Sequence, residues 1–213
     1  MALTQRVIDW QNRGRSVDFR GHQIHVFEQE GEGVPLVMLH GFPSSSYDWQ
    51  PLIERLEGRR ILAFDFLGFG LSDKPRNHVY SLAWQADLAE ELVRSTFPKE
   101  PVSLLAHDMG TSVATELFAR DLERKLGFDL DGALLFNGSI VLEKASLTRS
   151  QKVLRSRFGG LAAKFSSERI FKREFGAIFS PEHPLSPDEA ADQWSLIGYN
   201  DGRALGHRLI HYL

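Results

Sequence analysis

The sequence predicts an α/β fold with a doubly wound, mostly parallel sheet, and three observations support this prediction. Four apolar runs between residues 34 and 137 are typical of strands that are covered on both faces. Amphipathic segments, typical of helices, separate these runs. Polar residues follow the ends of the runs: His40, Asp65, Asp108 and Asn137. Because the carboxyl ends of parallel strands meet at one edge of a sheet, we expect the functional site there.

The composition is that of an ordinary globular chain. The 213 residues carry a net charge of -3, and 42% are hydrophobic, so we expect one large domain, or one domain with an inserted subdomain. The small net charge does not favour nucleic acid as a partner. Without a signal-peptide core or a membrane-length apolar run, we expect a cytoplasmic protein that does not bind membranes. Cysteine is absent, which excludes disulfides and cysteine metal sites, and no cofactor or metal is expected.

The elements follow in order along the chain. Residues 16–20 and 23–28 alternate polar and apolar side chains around Gly21, which predicts a hairpin at the sheet edge. The four apolar runs, each predicted to be a strand, are residues 34–39, 60–65, 102–106 and 132–137. Helices are predicted from near Tyr47, over 81–97 and over 109–125.

The pattern changes at residue 140. No further strand signal follows, and residues 151–158, 161–175 and 187–197 predict short helices that are unusually rich in aromatic residues. We therefore predict a core over residues 1–139 and a helical lid over residues 140–213. The inner face of the lid is expected to line an apolar pocket. A helical subdomain whose aromatic residues only pack together is the alternative.

The stretch 104–110 is the centre of the predicted site. An apolar strand ends at a turn that holds Asp108, a helix follows, and the small residues Ala106 and Gly110 flank the turn. This is the context of a nucleophile elbow. A carboxylate in that place forms an alkyl ester by displacement at carbon, unlike a serine nucleophile. The alternative is that Asp108 only caps the following helix.

Several motifs together resemble the α/β-hydrolase superfamily. They are His40-Gly41-Phe42-Pro43, the loop over residues 65–75 and His107-Asp108-Met109-Gly110. The likeness is closer to the aspartate-nucleophile branch, which contains epoxide hydrolases and haloalkane dehalogenases. It is closest to the mesoderm-specific transcript-like hydrolases, with Asn200-Asp201-Gly202 among the matching motifs. The resemblance extends from about Trp10 to the end of the sequence.

This resemblance implies roles for individual residues. Asp108 would be the nucleophile, and the backbone N–H groups of Phe42 and Met109 would form an oxyanion hole. His40 and His107 match the histidines that flank this site in the family. For both histidines, a structural role in holding the loops is the alternative.

The lid contributes further candidates. Tyr212 matches the lid tyrosine with which epoxide hydrolases protonate the opening epoxide oxygen, and Tyr199 is a weaker candidate. For both tyrosines, ordinary packing within the lid is the alternative. Haloalkane dehalogenases place side-chain N–H donors where this sequence has Phe42 and Met109, although Trp194 could replace them. Because no Arg or Lys stands beside Asp108, we expect a small, neutral, apolar substrate. Epoxide hydrolysis is preferred over dehalogenation.

The resemblance also implies that an acid and a histidine follow the lid in the family, after two further strands. This sequence is therefore expected to lack them. A truncated chain, a fold completed by a second chain, and a non-catalytic scaffold that binds a ligand or partner remain open. His207 and His211, four residues apart, are interpreted as one face of a lid helix and not as a metal pair.

Overall fold

The structure is a computed structural model that describes residues 1–138 and 147–212, without the side chain of Tyr212. Six strands form one sheet in the order β1-β2-β4-β3-β5-β6. The strands are β1 (Arg15–Phe19), β2 (His22–Gln29), β3 (Glu32–Leu39), β4 (Arg59–Phe64), β5 (Val102–His107) and β6 (Leu130–Phe136). Strands β3 to β6 pair in parallel, whereas β1 and β2 pair as an antiparallel hairpin. The predicted α/β fold with a mostly parallel sheet is confirmed.

The described helices lie before, between and after these strands. They are α1 (Gln5–Arg13), α2 (Gln50–Ile53), α3 (Leu82–Thr96), α4 (Met109–Leu122), α5 (Arg149–Arg155), α6 (Gly159–Lys164), α7 (Glu168–Gly176), α8 (Pro187–Gly198) and α9 (Gly206–Leu209). Short 3₁₀ helices cover Ser46–Trp49, Tyr199–Leu205 and Ile210–Tyr212. None of the helices in the described ranges is long and apolar enough to cross a membrane.

Two helical regions differ from the prediction. Helix α1 was not predicted from the sequence; it starts at the side-chain cap of Thr4 and buries Val7 and Trp10. The single helix predicted over 161–175 is wrong, because the chain forms α6 and α7 there. Ser167 explains the break: its hydroxyl accepts the N–H of Ile170 and so caps the start of a new helix.

The sheet has a hydrophobic cluster on each face. Leu104 and Ala106 of β5 belong to the cluster that includes residues of α3 and α4, whereas Leu105 belongs to the cluster that contains Trp10 of α1. Successive side chains of a strand point to opposite faces. Both faces of β5 are therefore covered, which explains why its sequence is mainly apolar.

The polar residues expected at one edge of the sheet lie directly after the parallel strands. His40 follows β3, Asp65 follows β4, Asp108 follows β5, and Asn137 follows β6. The predicted boundary between core and lid, at residues 139 and 140, lies outside the described residues and stays a prediction.

Candidate active site

The turn between β5 and α4 holds Asp108 in a strained backbone conformation. Its φ of 48° and ψ of -118° are unusual for a residue other than glycine. Two glycines permit this turn. A Cβ on Gly110 would lie 2.3 Å from the carbonyl oxygen of Leu39, and one on Gly41 would lie 2.7 Å from Cβ of Asp108. Close backbone approach therefore requires glycine on both sides of the half-buried Asp108.

Two backbone N–H groups hold the Asp108 carboxylate. Oδ1 accepts from the N–H of Phe42 at 2.8 Å and from the N–H of Met109 at 2.6 Å. Capping of α4 explains the contact with Met109 but not the one with Phe42, which belongs to the loop after β3. Two N–H donors that converge on one oxygen are the arrangement that stabilises an oxyanion.

His40 ties together the loops after two strands. Its Nε2 accepts the N–H of Phe66 at 3.0 Å, so the proton is assigned to Nδ1, which donates to the carbonyl of Gly41 at 2.8 Å. Burial of the fully inaccessible imidazole lowers its pKa, which favours the neutral ring. In this conformation, His40 positions the Phe42 loop and cannot touch a ligand directly.

His107, the last residue of β5, is half-buried. Its ring centroid lies 5.1 Å from that of Phe136 on the neighbouring strand. Burial lowers the pKa of His107, and the nearby charge of Asp108 only partly opposes this effect. The neutral imidazole therefore stands at the strand end beside the carboxylate.

Asp65 is a second buried carboxylate at this edge of the sheet, and it holds loops together. Its Oδ1 accepts from the N–H of Ser46 at 2.7 Å and from the Ser46 hydroxyl at 2.6 Å. Its Oδ2 accepts from the N–H of Leu71 at 2.6 Å. A Cβ on Gly70, whose φ is +48°, would lie 2.2 Å from that oxygen. The glycine-rich loop after β4 is thus wrapped around Asp65.

A cavity of about 170 Å³ lies between the Phe42 loop and the helices that follow residue 147. Most of its wall is apolar or aromatic, and these helices supply Leu154, Ile170, Phe171, Phe175 and Trp194. An apolar cavity of about 150 Å³ can hold a benzene molecule, so this one has room for a group of that size. Phe42 links the two parts of the site, because it lines the cavity and its N–H donates to Asp108, which is not itself among the residues that line the cavity.

The remaining predicted residues lie in different places. Trp194 lines the cavity, with its ring centroid 5.4 Å from that of Phe171. Met109 is not among the residues that line it; this residue borders a second, smaller cavity together with Tyr80 and Leu209. Tyr199 does not line it either: Nζ of Lys74 lies 5.4 Å from the centre of its ring. The side chain of Tyr212 lies outside the described residues, and its role stays a prediction.

Sequence reasoning overlooked a polar cluster, here named the clasp, that joins α8 to α1 and to the 3₁₀ helix Ser46–Trp49. Its members are Thr4, Arg6, Tyr47 and Asp192. Asp192 accepts from the Thr4 hydroxyl at 2.5 Å, from Nε of Arg6 at 2.7 Å and from the Tyr47 hydroxyl at 2.9 Å. Burial opposes ionisation of Asp192, but the hydrogen bonds from these residues outweigh it and lower the pKa. Thr4, whose residue type commonly caps helices, is the sequence signal that could have indicated the start of α1 and so part of this cluster.

A second contact beside the clasp joins the same helix to the loop after β3. Nε2 of Gln193 donates to Oδ1 of Asp48 at 2.6 Å, and the Ser44 hydroxyl donates to the other oxygen. Burial raises the pKa of Asp48 to about 6, although these two hydrogen bonds partly offset the effect. The helix that carries Trp194 is thus anchored at two successive residues, Asp192 and Gln193.

Comparisons of the sequence identify its relatives. Residues 34–195 match the family described as alpha/beta hydrolase fold. The chain is 51% identical over 207 residues to the putative hydrolase LipZ of Mycobacterium tuberculosis, covering 97% of this chain and 72% of that protein. It is 34% identical to the mesoderm-specific transcript protein of Mus musculus, covering 99% and 66%. A haloalkane dehalogenase of Agrobacterium fabrum is 29% identical over 174 residues, covering 79% and 54%.

Solved structures show the same fold. An alpha/beta hydrolase fold protein from Burkholderia ambifaria superposes with a TM-score of 0.76 and 27% identity, covering 93% of this chain and 70% of that one. The epoxide hydrolase CorEH gives a TM-score of 0.72 at 21% identity, covering 93% and 72%. The match over residues 34–195 and a relative that shares half of its aligned residues lead to one conclusion: the chain belongs to the α/β-hydrolase fold family.

Proposed function

We propose that this chain carries the nucleophile and the lid of a hydrolase in which Asp108 attacks a small, largely apolar electrophile, foremost an epoxide. The observation that carries the proposal is the pair of N–H groups, from Phe42 and Met109, on one oxygen of a carboxylate at a strained strand–helix turn. A carboxylate in this place displaces at a saturated carbon and itself becomes the ester.

The proposed reaction has two steps. A carboxylate oxygen of Asp108 bonds to an epoxide carbon while the ring carbon–oxygen bond breaks. The resulting alkoxide takes a proton, and Tyr212 is the proton donor expected from the sequence. Water then adds to the ester carbonyl, and the N–H groups of Phe42 and Met109 stabilise the oxyanion on Oδ1. Collapse breaks the bond to the alkyl oxygen, releases a diol and restores the carboxylate. The added water needs a general base, which we assign to none of the histidines in this sequence.

A carbon–halogen bond is the alternative electrophile. The side chains of Phe42 and Met109 offer no N–H donor to a departing halide, which speaks against this alternative. Trp194 lines the cavity and has an indole N–H, which speaks for it. Release of bromide on incubation with bromobutane would establish the alternative, and its absence together with reaction of an epoxide would exclude it.

Covalent trapping tests the proposal. The protein is incubated with styrene oxide, and intact-mass and peptide mass spectrometry locate the adduct. We expect one equivalent of adduct on Asp108, loss of this adduct in Asp108→Asn, and no repeated turnover by the chain alone. Asp121→Asn is the matched control, because Asp121 is an exposed carboxylate near the end of the same helix; it should leave labelling of Asp108 unchanged.

The other outcomes separate the rival functions. Labelling spread equally over exposed carboxylates would mean that Asp108 has no special reactivity. A folded chain that binds neutral aromatic compounds without any adduct would favour a binding protein that keeps the elbow only as architecture. Sustained turnover would show that the chain supplies its own general base.

A further inference from the structure

The cavity under the lid carries charges that the residues next to Asp108 in the sequence do not reveal. Within the described part of its wall, the charged side chains are those of Glu174 and Arg203. Glu174 is paired with Arg173, whose Nη2 lies 2.8 Å from Oε1. No carboxylate in residues 1–138 or 147–212 lies within ion-pair distance of Arg203. Within the described residues, Arg203 is therefore a positive charge in the cavity wall that has no carboxylate as an ion-pair partner.

An aromatic platform supports this cation. Cζ of Arg203 lies 5.3 Å from the ring centroid of Trp194, which is only 6% exposed. Trp194 follows Asp192 and Gln193, the two residues that anchor α8 to the core. A guanidinium stacked on an aromatic ring keeps N–H donors in its own plane, where they fit a carboxylate edge. Arg203 itself is exposed, so its guanidinium contacts Trp194 on one side and is open to solvent or to a ligand on the other.

The bend before Arg203 explains how it reaches this platform. Asn200 and Asp201 have φ values of 47° and 59°, in the left-handed region. A Cβ on the buried Gly202 would lie 2.6 Å from the carbonyl oxygen of Ile197 and 2.6 Å from Cε of Lys74. The chain therefore turns back against α8 within three residues. The Asn200-Asp201-Gly202 motif thus places Arg203 in the cavity wall.

We infer that the cavity binds an apolar carboxylic acid, with a benzene-sized or short alkyl group beside the aromatic residues of α7 and its carboxylate at Arg203. This inference rests on the proposed function and names its substrate class: an apolar acid that also carries the electrophilic carbon. It replaces the neutral substrate expected from the sequence. That expectation considered only the neighbours of Asp108, whereas Arg203 comes from the far end of the lid.

Calorimetry with phenylacetate and phenylacetamide tests the inference, because the two compounds share a phenyl group and differ in charge. We expect the wild-type protein to bind phenylacetate about five- to tenfold more tightly. Arg203→Gln should remove this preference and leave the affinity for phenylacetamide within about twofold. Arg203→Lys should keep part of the preference, because the charge remains. Glu174→Gln should tighten phenylacetate binding, because it removes a like charge from the wall.

Arg157→Gln is the matched control. Arg157 also stacks on an aromatic ring of the lid, with Cζ 4.7 Å from the ring centroid of Phe158, but it does not line the cavity. It should leave the preference intact. Equal affinity of the wild-type protein for both compounds, absence of binding by either, or equal losses in Arg157→Gln and Arg203→Gln would each overturn the inference.

The nucleophilic role of Asp108 and the binding of an acid at Arg203 can be refuted independently of each other. A styrene oxide adduct on Asp108 without any preference for the acid refutes only the inference about Arg203. A preference that disappears in Arg203→Gln, without any adduct, refutes only the nucleophilic role of Asp108.

Discussion

Strands β5 and β6 are neighbours in the sheet and similarly apolar in sequence, yet their burial differs. In β5, Val102, Leu104 and Ala106 are at most 1% exposed. In β6, Leu134 is 62% exposed, although it pairs directly with Leu105 of β5, which is 6% exposed. An exposed leucine thus lies next to a buried one across a single pair of strands.

The neighbours of each strand explain this difference. Strand β5 lies between β3 and β6, whereas β6 pairs with β5 alone among the described strands. An apolar run therefore predicts a strand, but its burial depends on what packs against it. Asp108 follows β5, the better-packed strand, and this is the strand on which a strained turn can be maintained.

The largest expected effect comes from a matched pair of leucine truncations. Leu104→Ala should lower the free energy of unfolding by about 2–5 kcal/mol, because it leaves a cavity in the core. Leu134→Ala should change it by less than about 0.5 kcal/mol, because this side chain is mostly exposed. Urea unfolding measures both values. Similar losses in the two variants would contradict the comparison and show that the face of β6 is covered in solution.

A pair of glycine substitutions sharpens the same comparison. A Cβ on Gly110 would lie 2.3 Å from a backbone oxygen of β3, so Gly110→Ala should cost about 1–3 kcal/mol and reduce labelling of Asp108. A Cβ on Gly132 of β6 would meet its nearest neighbour, Oγ of Ser103, only at 4.0 Å. Gly132→Ala should therefore be neutral or stabilise by about 0.5 kcal/mol. Thermal unfolding and peptide mapping give the two readouts, and a neutral Gly110→Ala would refute the tight turn.

Stability should also respond to pH through Asp48, in the 3₁₀ helix that follows β3. Because burial raises its pKa from 3.8 to about 6, the folded state favours the protonated carboxyl. Its contribution to stability is present below about pH 4 and is lost as the pH rises through about 6. Across this pH range, we expect the free energy of unfolding to fall by about 1–2 kcal/mol less in Asp48→Asn than in the wild-type protein. The free energy of unfolding is measured for both proteins at a series of pH values, and the difference between the two proteins is taken at each pH. Identical pH profiles would contradict the raised pKa of Asp48.

The smallest effect is expected for a substitution on β6, the exposed edge strand, and it concerns self-association. Leu134→Lys should lower any self-association without changing the fold, because a charge on an edge strand opposes strand pairing between copies. Sedimentation velocity at several protein concentrations measures this effect. Val79→Lys is the control, since Val79 is 84% exposed in a loop away from the strands. Equal changes in both variants would point to net charge and not to the edge of β6.

Local sequence patterns determined the sheet and the strand–helix turn at Asp108, whereas the roles of Asp108 as nucleophile and of the Phe42 loop as part of an oxyanion hole stay predictions. Strands β3 to β6 were predictable because each contains a mainly apolar run, and Ser81 signals the start of α3 through its side-chain cap. The turn at Asp108 was predictable from its small neighbours. The identity of Phe42 as a donor came from the resemblance of the His40-Gly41-Phe42-Pro43 motif to the family. All these features depend on residues a few positions apart, where spacing and residue type limit the backbone directly.

Only the tertiary structure decided which distant side chains meet. Arg6 reaches Asp192 across 186 positions of sequence, and Arg203 shares a cavity with Phe42. Tyr199 lies against Lys74 and not in the cavity, although the family pattern made it a candidate. Such contacts leave no periodic trace in the sequence, because they depend on how the helices after residue 147 pack against the rest of the chain. The same physical reason separates Leu105 from Leu134: identical side chains are buried or exposed according to what packs on them.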